Sequence, residues 1–385
     1  MRRLVLPVVL FLSACNQPDS DPASRSSTGA SASPTVDPLA SRDGTPDAFP
    51  DSQARPLMQA QVVLDRLGFS PGVIDGKEGL STRNALAGFQ EANGLPVTGT
   101  FDPATWEVLG RWQVIPATRV VTIPEDFARG PFAEVPDDPA DQAAMPALGY
   151  ASLDEKLAER FHTSVETLVT LNPGGFPAGS PEAEAAIASA KPAPAASQSP
   201  SGEATAHFRA GQQIRVPNIG NDRVDPASVD DAGWLLSLVM LGIGSTQPRV
   251  ERVIVSKAKG TLKAFDAGGQ LVAAFTVTTG SRHDPLPLGQ WKVNGIARNP
   301  KFHYNPDLFW DASPGDEKAM LPPGPNSPVG IVWIDLSKPH YGIHGTPEPR
   351  SIGRAESHGC VRLTNWDAAR LAQMVGPGTR VDFVA

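Results

Sequence analysis

The chain is organised around the stretch Ser357-His358-Gly359-Cys360-Val361-Arg362, with His344-Gly345-Thr346 a short way upstream. Cys360 is one of two cysteines in the 385 residues, and the other, Cys15, closes a segment with the pattern of an export signal. An exported mature chain would therefore offer Cys360 no intramolecular disulfide partner. A lone cysteine is often a buried structural residue. A thiol beside histidine and arginine can instead hold a lowered pKa and act as a nucleophile.

These two motifs together resemble the signature of the L,D-transpeptidase catalytic domain, the YkuD family. The resemblance covers roughly Val250 to the C-terminus and implies a mainly antiparallel β-sandwich with one late helix. Enzymes of this family cross-link or trim peptidoglycan stem peptides through a cysteine, and no cofactor is expected. The resemblance therefore predicts a cysteine-dependent acyltransferase that acts on tetrapeptide stems and is itself acylated by carbapenems.

The motif does not identify the acyl acceptor, because all the alternative products form from the same acyl-enzyme. An amine of a second stem would give a 3→3 cross-link, and an amine of an envelope protein would give a protein attached to the wall. Water as acceptor would make the protein a carboxypeptidase or endopeptidase. A catalytically inactive wall-binding lipoprotein is the alternative from another class, and the intact His344, Gly359, Cys360 and Arg362 argue against it.

Composition excludes one class of partner and indicates several domains. The formal net charge is -8 and the pI is about 5.4, so no basic face suited to nucleic acid is expected. The 39 prolines and 36 glycines concentrate in a few stretches, which indicates linkers between domains.

The N-terminus has the pattern of a bacterial lipoprotein signal. Two arginines, Arg2 and Arg3, precede an apolar run from Leu4 to Leu12 that is too short to span a bilayer. Leu12-Ser13-Ala14-Cys15 resembles a lipobox, whose cysteine is lipidated; an ordinary signal peptide with an accidental cysteine is the alternative. Residues 16–54 are predicted to be a disordered tether that spans about 35 Å on average. A membrane-anchored lipoprotein of the bacterial cell envelope, in the periplasm, is therefore expected.

The segment after the tether has the pattern of a small helical domain. Pro56 can open a first helix, Ser81 is a candidate N-cap of a second, and Asp102-Pro103 is a candidate cap of a third. The turn residues between them, such as Asp75-Gly76 and the run Gly94 to Gly99, resemble the three-helix peptidoglycan-binding domain. A generic helical module is the alternative.

Two further helices, near Leu153–Phe161 and Val165–Leu171, resemble the middle of a LysM repeat, a fold of two helices on a two-stranded sheet that binds wall glycans. Gly211 to Pro217 would be its closing strand. The usual opening Gly-Asp is missing, and an insert rich in Pro, Ala and Ser from Phe176 to about His207 splits the unit. An unrelated helical hairpin is the alternative.

The C-terminal third shifts to a strand pattern. We predict strands over Arg252–Val255, Thr261–Phe265, Leu271–Val277, Gly289–Val293 and Val329–Ile334, and a helix from about Trp366 to Val375. The apolar run Trp234 to Ile243 is predicted to be a buried element at the edge of this domain. The fold class is thus multidomain α+β, with these segments: signal peptide 1–15, tether 16–54, peptidoglycan-binding-like domain 55–110, connector 111–149, LysM-like domain 150–218, connector 219–249 and catalytic domain 250–385.

The predicted catalytic residues are Cys360, His344, Gly345, His358 and Gly359. Cys360 is the nucleophile, and His344 is its partner, able to hold the thiolate as an ion pair and to deprotonate the acceptor. The resemblance implies that a main-chain carbonyl, here Gly345, orients the imidazole. Gly359 would let substrate approach and the Cys360 amide would bind the oxyanion. On an extended strand His358 would point to the Cys360 face, either to shape the oxyanion site or as a supporting residue.

Four residues are candidates for substrate binding. Arg362 falls on the Cys360 face of a strand and could bind a stem carboxylate through its guanidinium. Ser357, Tyr341 and Trp333 are candidates from their position beside the motif. No metal site is expected, because the remaining histidines lack the spacing of metal ligands. Peptidoglycan stems and glycan strands are the expected partners, with the membrane through the lipid and an envelope protein as a possible acceptor.

Overall fold

The computed structural model describes residue 39 and residues 49–189, 206–220, 224–310, 312–313 and 315–385. The predicted signal peptide, Cys15 and nearly all of the predicted tether lie outside these residues. Among the described residues, none of the helices is both long and apolar enough to cross a membrane.

The first module consists of three helices: α1 (Pro56–Arg66), α2 (Leu80–Ala92) and α3 (Pro103–Leu109). Pro56 opens α1 and Asp102 caps α3, where its carboxylate accepts from the Thr105 amide at 2.8 Å, as predicted. The predicted Ser81 cap is wrong, because α2 begins after Gly79 without a side-chain cap.

The second module has a two-stranded antiparallel sheet of β1 (Thr118–Thr122) and β2 (Gln213–Pro217). Among the described residues between these strands are five α-helices: α4 (Glu125–Ala128), α5 (Pro139–Ala144), α6 (Leu153–Arg160), α7 (Val165–Leu171) and α8 (Pro181–Ser189). Ser164 caps α7, where its hydroxyl accepts from the Thr167 amide. The extended connector predicted over 111–149 is wrong, because that segment contains β1, α4 and α5. Its strand pairs with a partner far along the chain, so the local sequence carries no hairpin signal.

The third module begins with α9 (Ala232–Leu241) and contains a late helix, α10 (Asn365–Met374), which Thr364 caps. The strands between and after them are β3 (Arg252–Ser256), β4 (Thr261–Phe265), β5 (Leu271–Thr276), β6 (Gly289–Arg298), β7 (Phe302–Tyr304), β8 (Ala319–Leu321), β9 (Val332–Leu336), β10 (Gly342–His344), β11 (Val361–Arg362) and β12 (Arg380–Val384). The apolar run Trp234 to Ile243 lies largely in α9, and its buried side chains join the core of this module as predicted, whereas Leu236 is exposed.

Within the described residues, eight strands form one sheet in the order β11-β10-β9-β6-β12-β3-β4-β5. The predicted sandwich of two separate sheets is therefore corrected to one curled sheet that remains mainly antiparallel. The physical reason lies in β6, which pairs with β12 through Gly289–Lys292 and with β9 from Val293 onward. A register shift between Val293 and Gly295 bends the strand where it passes from one partner to the other.

The three modules pack against one another directly. The segment after α1 covers the edge strand β5, where the Ser70 amide donates to the Ala274 carbonyl at 2.9 Å and the Ala274 amide donates to Gly68 at 3.1 Å. A buried ion pair joins Asp65 of α1 to Arg370 of α10, and His162, just after α6, lies 3.3 Å from Asp65. These contacts fix the catalytic sheet to both preceding modules.

Candidate active site

Cys360 lies on a tight bend rather than on the extended strand predicted for residues 358–360. Gly359 has a φ of +98°, a left-handed conformation that side chains other than glycine rarely adopt, and a Cβ there would lie 2.7 Å from the Tyr341 ring. The Ser357 hydroxyl donates to the Cys360 carbonyl at 2.6 Å. The bend therefore projects the partly buried thiol from the start of β11, where the thiol donates to the His340 carbonyl at 3.8 Å.

Two neighbouring strands bring His344 to the same end of the sheet as Cys360. Strands β10 and β11 are parallel, with Ile343 opposite Val361 and His344 opposite Arg362. The buried imidazole donates through Nδ1 to the Gly345 carbonyl at 2.7 Å, and the Trp333 ring stacks on it at 5.5 Å. Because Nδ1 carries the proton in this bond, Nε2 of the neutral ring is left as the proton acceptor.

Both reactive groups are neutral near pH 7 in this state. Burial raises the pKa of the Cys360 thiol above its usual value. Burial and the nearby charge of Arg362 lower the pKa of His344 to about 4, against the smaller effect of the Gly345 hydrogen bond. The ion pair predicted from the sequence is therefore not the favoured resting form, and the neutral imidazole keeps Nε2 as a proton acceptor in the cleft that Cys360 also lines.

Cys360 and His344 open into a cleft with a volume of about 1130 Å³. The predicted residues His358, Arg362, Tyr341 and Trp333 also line it, so the structure brings these side chains together. Ser357 reaches the cleft wall but is only 3% exposed. Since its hydroxyl is bonded to the Cys360 carbonyl, Ser357 shapes the catalytic bend and is poorly placed for the substrate binding predicted from the sequence.

A flap formed by β7, β8 and the described residues between them (305–310, 312–313 and 315–318) makes one wall of the cleft. The Phe309 ring meets His358 edge-on at 4.9 Å, and Trp310 stacks on His283 at 4.6 Å. This wall was not predicted from the sequence. Its signal was the aromatic-rich segment from Phe302 to Trp310, which lacks the long periodic pattern of a core element.

The start of α5 also lines the cleft, from Asp137 to Gln142. The sequence did not predict this contribution. The segment was assigned to a connector, and its local sequence pattern does not indicate a contact with the flap. The described residues contain no group of three or more His, Cys, Asp or Glu side chains suited to a metal ion.

Two family models match the chain. One, described as the L,D-transpeptidase catalytic domain of the YkuD family, matches residues 250–383, and a second, "Putative peptidoglycan binding domain", matches residues 54–109. The protein named "Putative L,D-transpeptidase YkuD" of Bacillus licheniformis is 56% identical over 147 residues, which are 38% of this chain and 73% of that protein. The chain belongs to the YkuD family of L,D-transpeptidases.

"Putative L,D-transpeptidase YqjB" of Bacillus subtilis is also similar, 31% identical over 134 residues, 34% of this chain and 68% of that protein. The two family models and these relatives confirm the resemblances to the YkuD and peptidoglycan-binding domains, and the second family match coincides with α1 to α3. A solved structure of an L,D-transpeptidase from Mycobacterium smegmatis matches at 20% identity and a TM-score of 0.29, over 35% of this chain and 59% of that one.

Proposed function

We propose that this L,D-transpeptidase uses Cys360 as the nucleophile that cleaves peptidoglycan tetrapeptide stems and transfers the acyl group to an amine. The observation that carries the proposal is the placement of His344 in β10 and of Cys360 just before the parallel neighbour β11, with both side chains lining one cleft and the imidazole held through Nδ1 by Gly345. This arrangement leaves an acceptor nitrogen for the thiol proton, as acyl transfer by cysteine requires.

The reaction proceeds in two balanced halves. The thiol proton passes to Nε2 of His344 as sulfur bonds to the carbonyl carbon between the third and fourth stem residues. The amide of Cys360 stabilises the oxyanion, and the imidazolium returns the proton to the leaving D-Ala amine, which leaves a thioester. An acceptor amine then gives a proton to His344 and attacks the thioester, and the sulfur leaves and regains its proton.

Arg362 is the residue of the cleft that fits a stem carboxylate. Its guanidinium lies near enough to His344 and Cys360 to influence the pKa of both groups. A carboxylate bound by its planar array of donors would fix the stem beside the thiol. His358, held between the flap aromatics and the catalytic bend, shapes the same wall.

The preceding modules serve attachment to the wall. The helical module α1 to α3 binds peptidoglycan, and the second module, with α6 and α7 beside the β1–β2 sheet, is a divergent LysM-like unit that holds glycan strands. Cys15 carries a lipid that anchors the protein in the bacterial envelope, on the periplasmic side. These assignments rest on sequence pattern and, for the second module, on the two consecutive helices α6 and α7 that lie in the chain between the paired strands β1 and β2.

Intact-protein mass spectrometry tests the catalytic proposal. The chain lacking its first fifteen residues is exposed to a carbapenem and, separately, to disaccharide-tetrapeptide. We expect one acyl adduct on wild type and none on Cys360→Ala, and muropeptide analysis then shows cross-linked dimers. Absence of any adduct on folded wild type would refute the proposal, and trimmed monomers without dimers would show that water is the acceptor.

A further inference from the structure

The side chain of Asn365 joins three segments beneath the catalytic histidine. This fully buried residue begins α10. Its Nδ2 donates to Glu159 Oε1 at 2.8 Å and to the Pro325 carbonyl at 3.0 Å. Its Oδ1 accepts from the Ile331 amide at 3.4 Å. The amide orientation of Asn365 is therefore set by acceptors on one side and a donor on the other.

Asn365 lies directly against the backbone that orients His344. A Cβ placed on Gly345 would collide with Asn365 Oδ1, and so would a Cβ placed on Gly330. The carbonyl of Gly345 is the acceptor of the His344 Nδ1 proton at 2.7 Å. Any movement of the Asn365 side chain would therefore shift the peptide that holds the imidazole.

Glu159 belongs to α6, outside the residues that match the catalytic domain. Its carboxyl is buried, bonds to Asn365 and to the Tyr150 hydroxyl, and its Oε2 has no hydrogen-bond partner within the described part of the chain. Burying such a group is costly, and an apolar residue of similar volume would often stabilise the fold as well or better. Stability alone therefore gives a poor account of a carboxyl at this position.

We propose that Glu159 is a positioning residue for the catalytic histidine, which it acts on through Asn365 and the Gly345 carbonyl. The LysM-like module thereby supports the active site in addition to any contact it makes with the wall. This inference rests on the proposed catalytic role of His344. Without the acceptor at residue 159, the Asn365 amide can turn toward Pro325 alone, and the Gly345 carbonyl loses its support. A displacement of a reacting group by about 1 Å can cost about 100-fold in rate.

Three full-length variants separate positioning from packing. E159L keeps the side-chain volume but removes the acceptor, and E159Q keeps an acceptor at Oε1. E166Q is the matched control, because Glu166 of α7 pairs with Arg350 across an exposed contact between the same two modules. Each variant is first compared with wild type by thermal unfolding.

Two readouts then decide the role of Glu159. The first is carbapenem acylation of Cys360 over a range of drug concentrations. We expect the limiting rate to fall about 10-fold or more in E159L, with the half-saturating concentration and the final acylated fraction unchanged. E159Q restores most of that rate, and E166Q acylates like wild type. A variant that was merely less folded would lose acylated fraction instead.

The second readout is the ¹⁵N NMR signature of the His344 imidazole, which needs no activity. In wild type we expect a proton on Nδ1, and in E159L a mixture with the Nε2-protonated tautomer. Unchanged His344 nitrogen shifts in folded E159L, a wild-type acylation rate in E159L, or an equal rate loss in E159Q would each overturn the inference. If wild type itself gave no adduct, the proposed function would fail, while the NMR comparison would still decide the role of Glu159.

Discussion

At Cys360 and His344, burial acts on both reactive groups in the same sense and favours their neutral forms. The charge of Arg362 lowers the pKa of both groups, so it favours the thiolate form of Cys360 and disfavours the imidazolium form of His344. A stem carboxylate bound at Arg362 would offset that charge and make His344 a better base. Substrate binding and base strength are thus coupled through one side chain.

The acylation rate should therefore fall in acid as His344 becomes protonated. With the His344 pKa lowered to about 4, the carbapenem acylation rate of wild type should stay on its plateau down to about pH 5 and decline with a midpoint near 4. R362Q removes a cation that disfavours the imidazolium, so its midpoint should move to higher pH. Rates measured between pH 3.5 and 8, with circular dichroism to confirm folding, check both. An unshifted midpoint in R362Q would contradict the assigned effect of Arg362.

Gly359→Ala should disable the catalytic bend. An alanine there must adopt a left-handed φ and place its Cβ against the Tyr341 ring, at a combined cost of about 1–3 kcal/mol in unfolding free energy. The bend carries Cys360, the proposed nucleophile, so we expect the acylation rate to drop at least about 10-fold. G376A is the control, because Gly376 has no positive φ and nothing lies near its added Cβ. Chemical denaturation measures the stability, and equal effects of the two substitutions would refute the argument.

At the scale of elements, the sequence predicted those helices and strands whose positions are set by residues that are close together in the chain. Strands β3 to β5 and the helix α10 were predicted from local sequence, and the structure has them at nearly the predicted positions. The motifs that contain Cys360 and His344 are also local, and the structure places both side chains in one cleft. Strand β6 runs five residues beyond its predicted end at Val293, to Arg298, because its second half pairs with β9 across a bulge. That pairing is a long-range contact without a local signature.

Asp367 of α10, which contacts the segment after α1, has a side-chain pKa well above the usual value for aspartate. Burial, followed by the repulsion of Asp65, raises the pKa of Asp367 to about 6 in spite of the nearby Arg370. Ser70 donates to its Oδ2 at 2.9 Å, and its Oδ1 has no hydrogen-bond partner among the described residues. In the unfolded chain this group ionises near its usual pKa of 3.8, so folding favours its protonated form.

Asp367→Asn should therefore stabilise the protein at neutral pH and not in acid. Between about pH 4 and pH 6 the wild type loses the stability that protonated Asp367 provides, whereas asparagine never ionises and still accepts from Ser70. We expect D367N to gain up to about 3 kcal/mol over wild type at pH 7.5 and nearly nothing at pH 4. Urea denaturation at the two pH values measures the difference. A gain that was equal at both values would show that Asp367 does not titrate in this range.

At the scale of the whole molecule, the sequence indicated separate domains joined by connectors, and the structure shows modules in direct contact. The contacts that join them include Asp65 with Arg370, Phe69 with the edge of β5, and Glu159 with Asn365. Each pair combines residues from distant parts of the chain, so neither composition nor periodicity could place one beside the other. Two features of the third module therefore depend on the modules before it. One is the cover over the edge strand β5, and the other is the Glu159–Asn365 contact beside the backbone that holds His344.

Removal of residues 1–110 should therefore expose β5 as an unprotected edge. In the full chain that edge is covered by Phe69, Ser70 and α2, and a Cβ on Gly88 would lie 2.7 Å from the Ala274 side chain. An exposed flat edge strand is a template for pairing with another chain. We expect the truncated chain to have a lower melting temperature and to form dimers or larger species in size-exclusion chromatography with light scattering. A charged residue on the edge discourages such pairing, so A274K in the truncated chain should recover monomer. A truncated chain that remained monomeric and as stable as the full chain would show that the first module is an independent attachment and that β5 is protected in some other way.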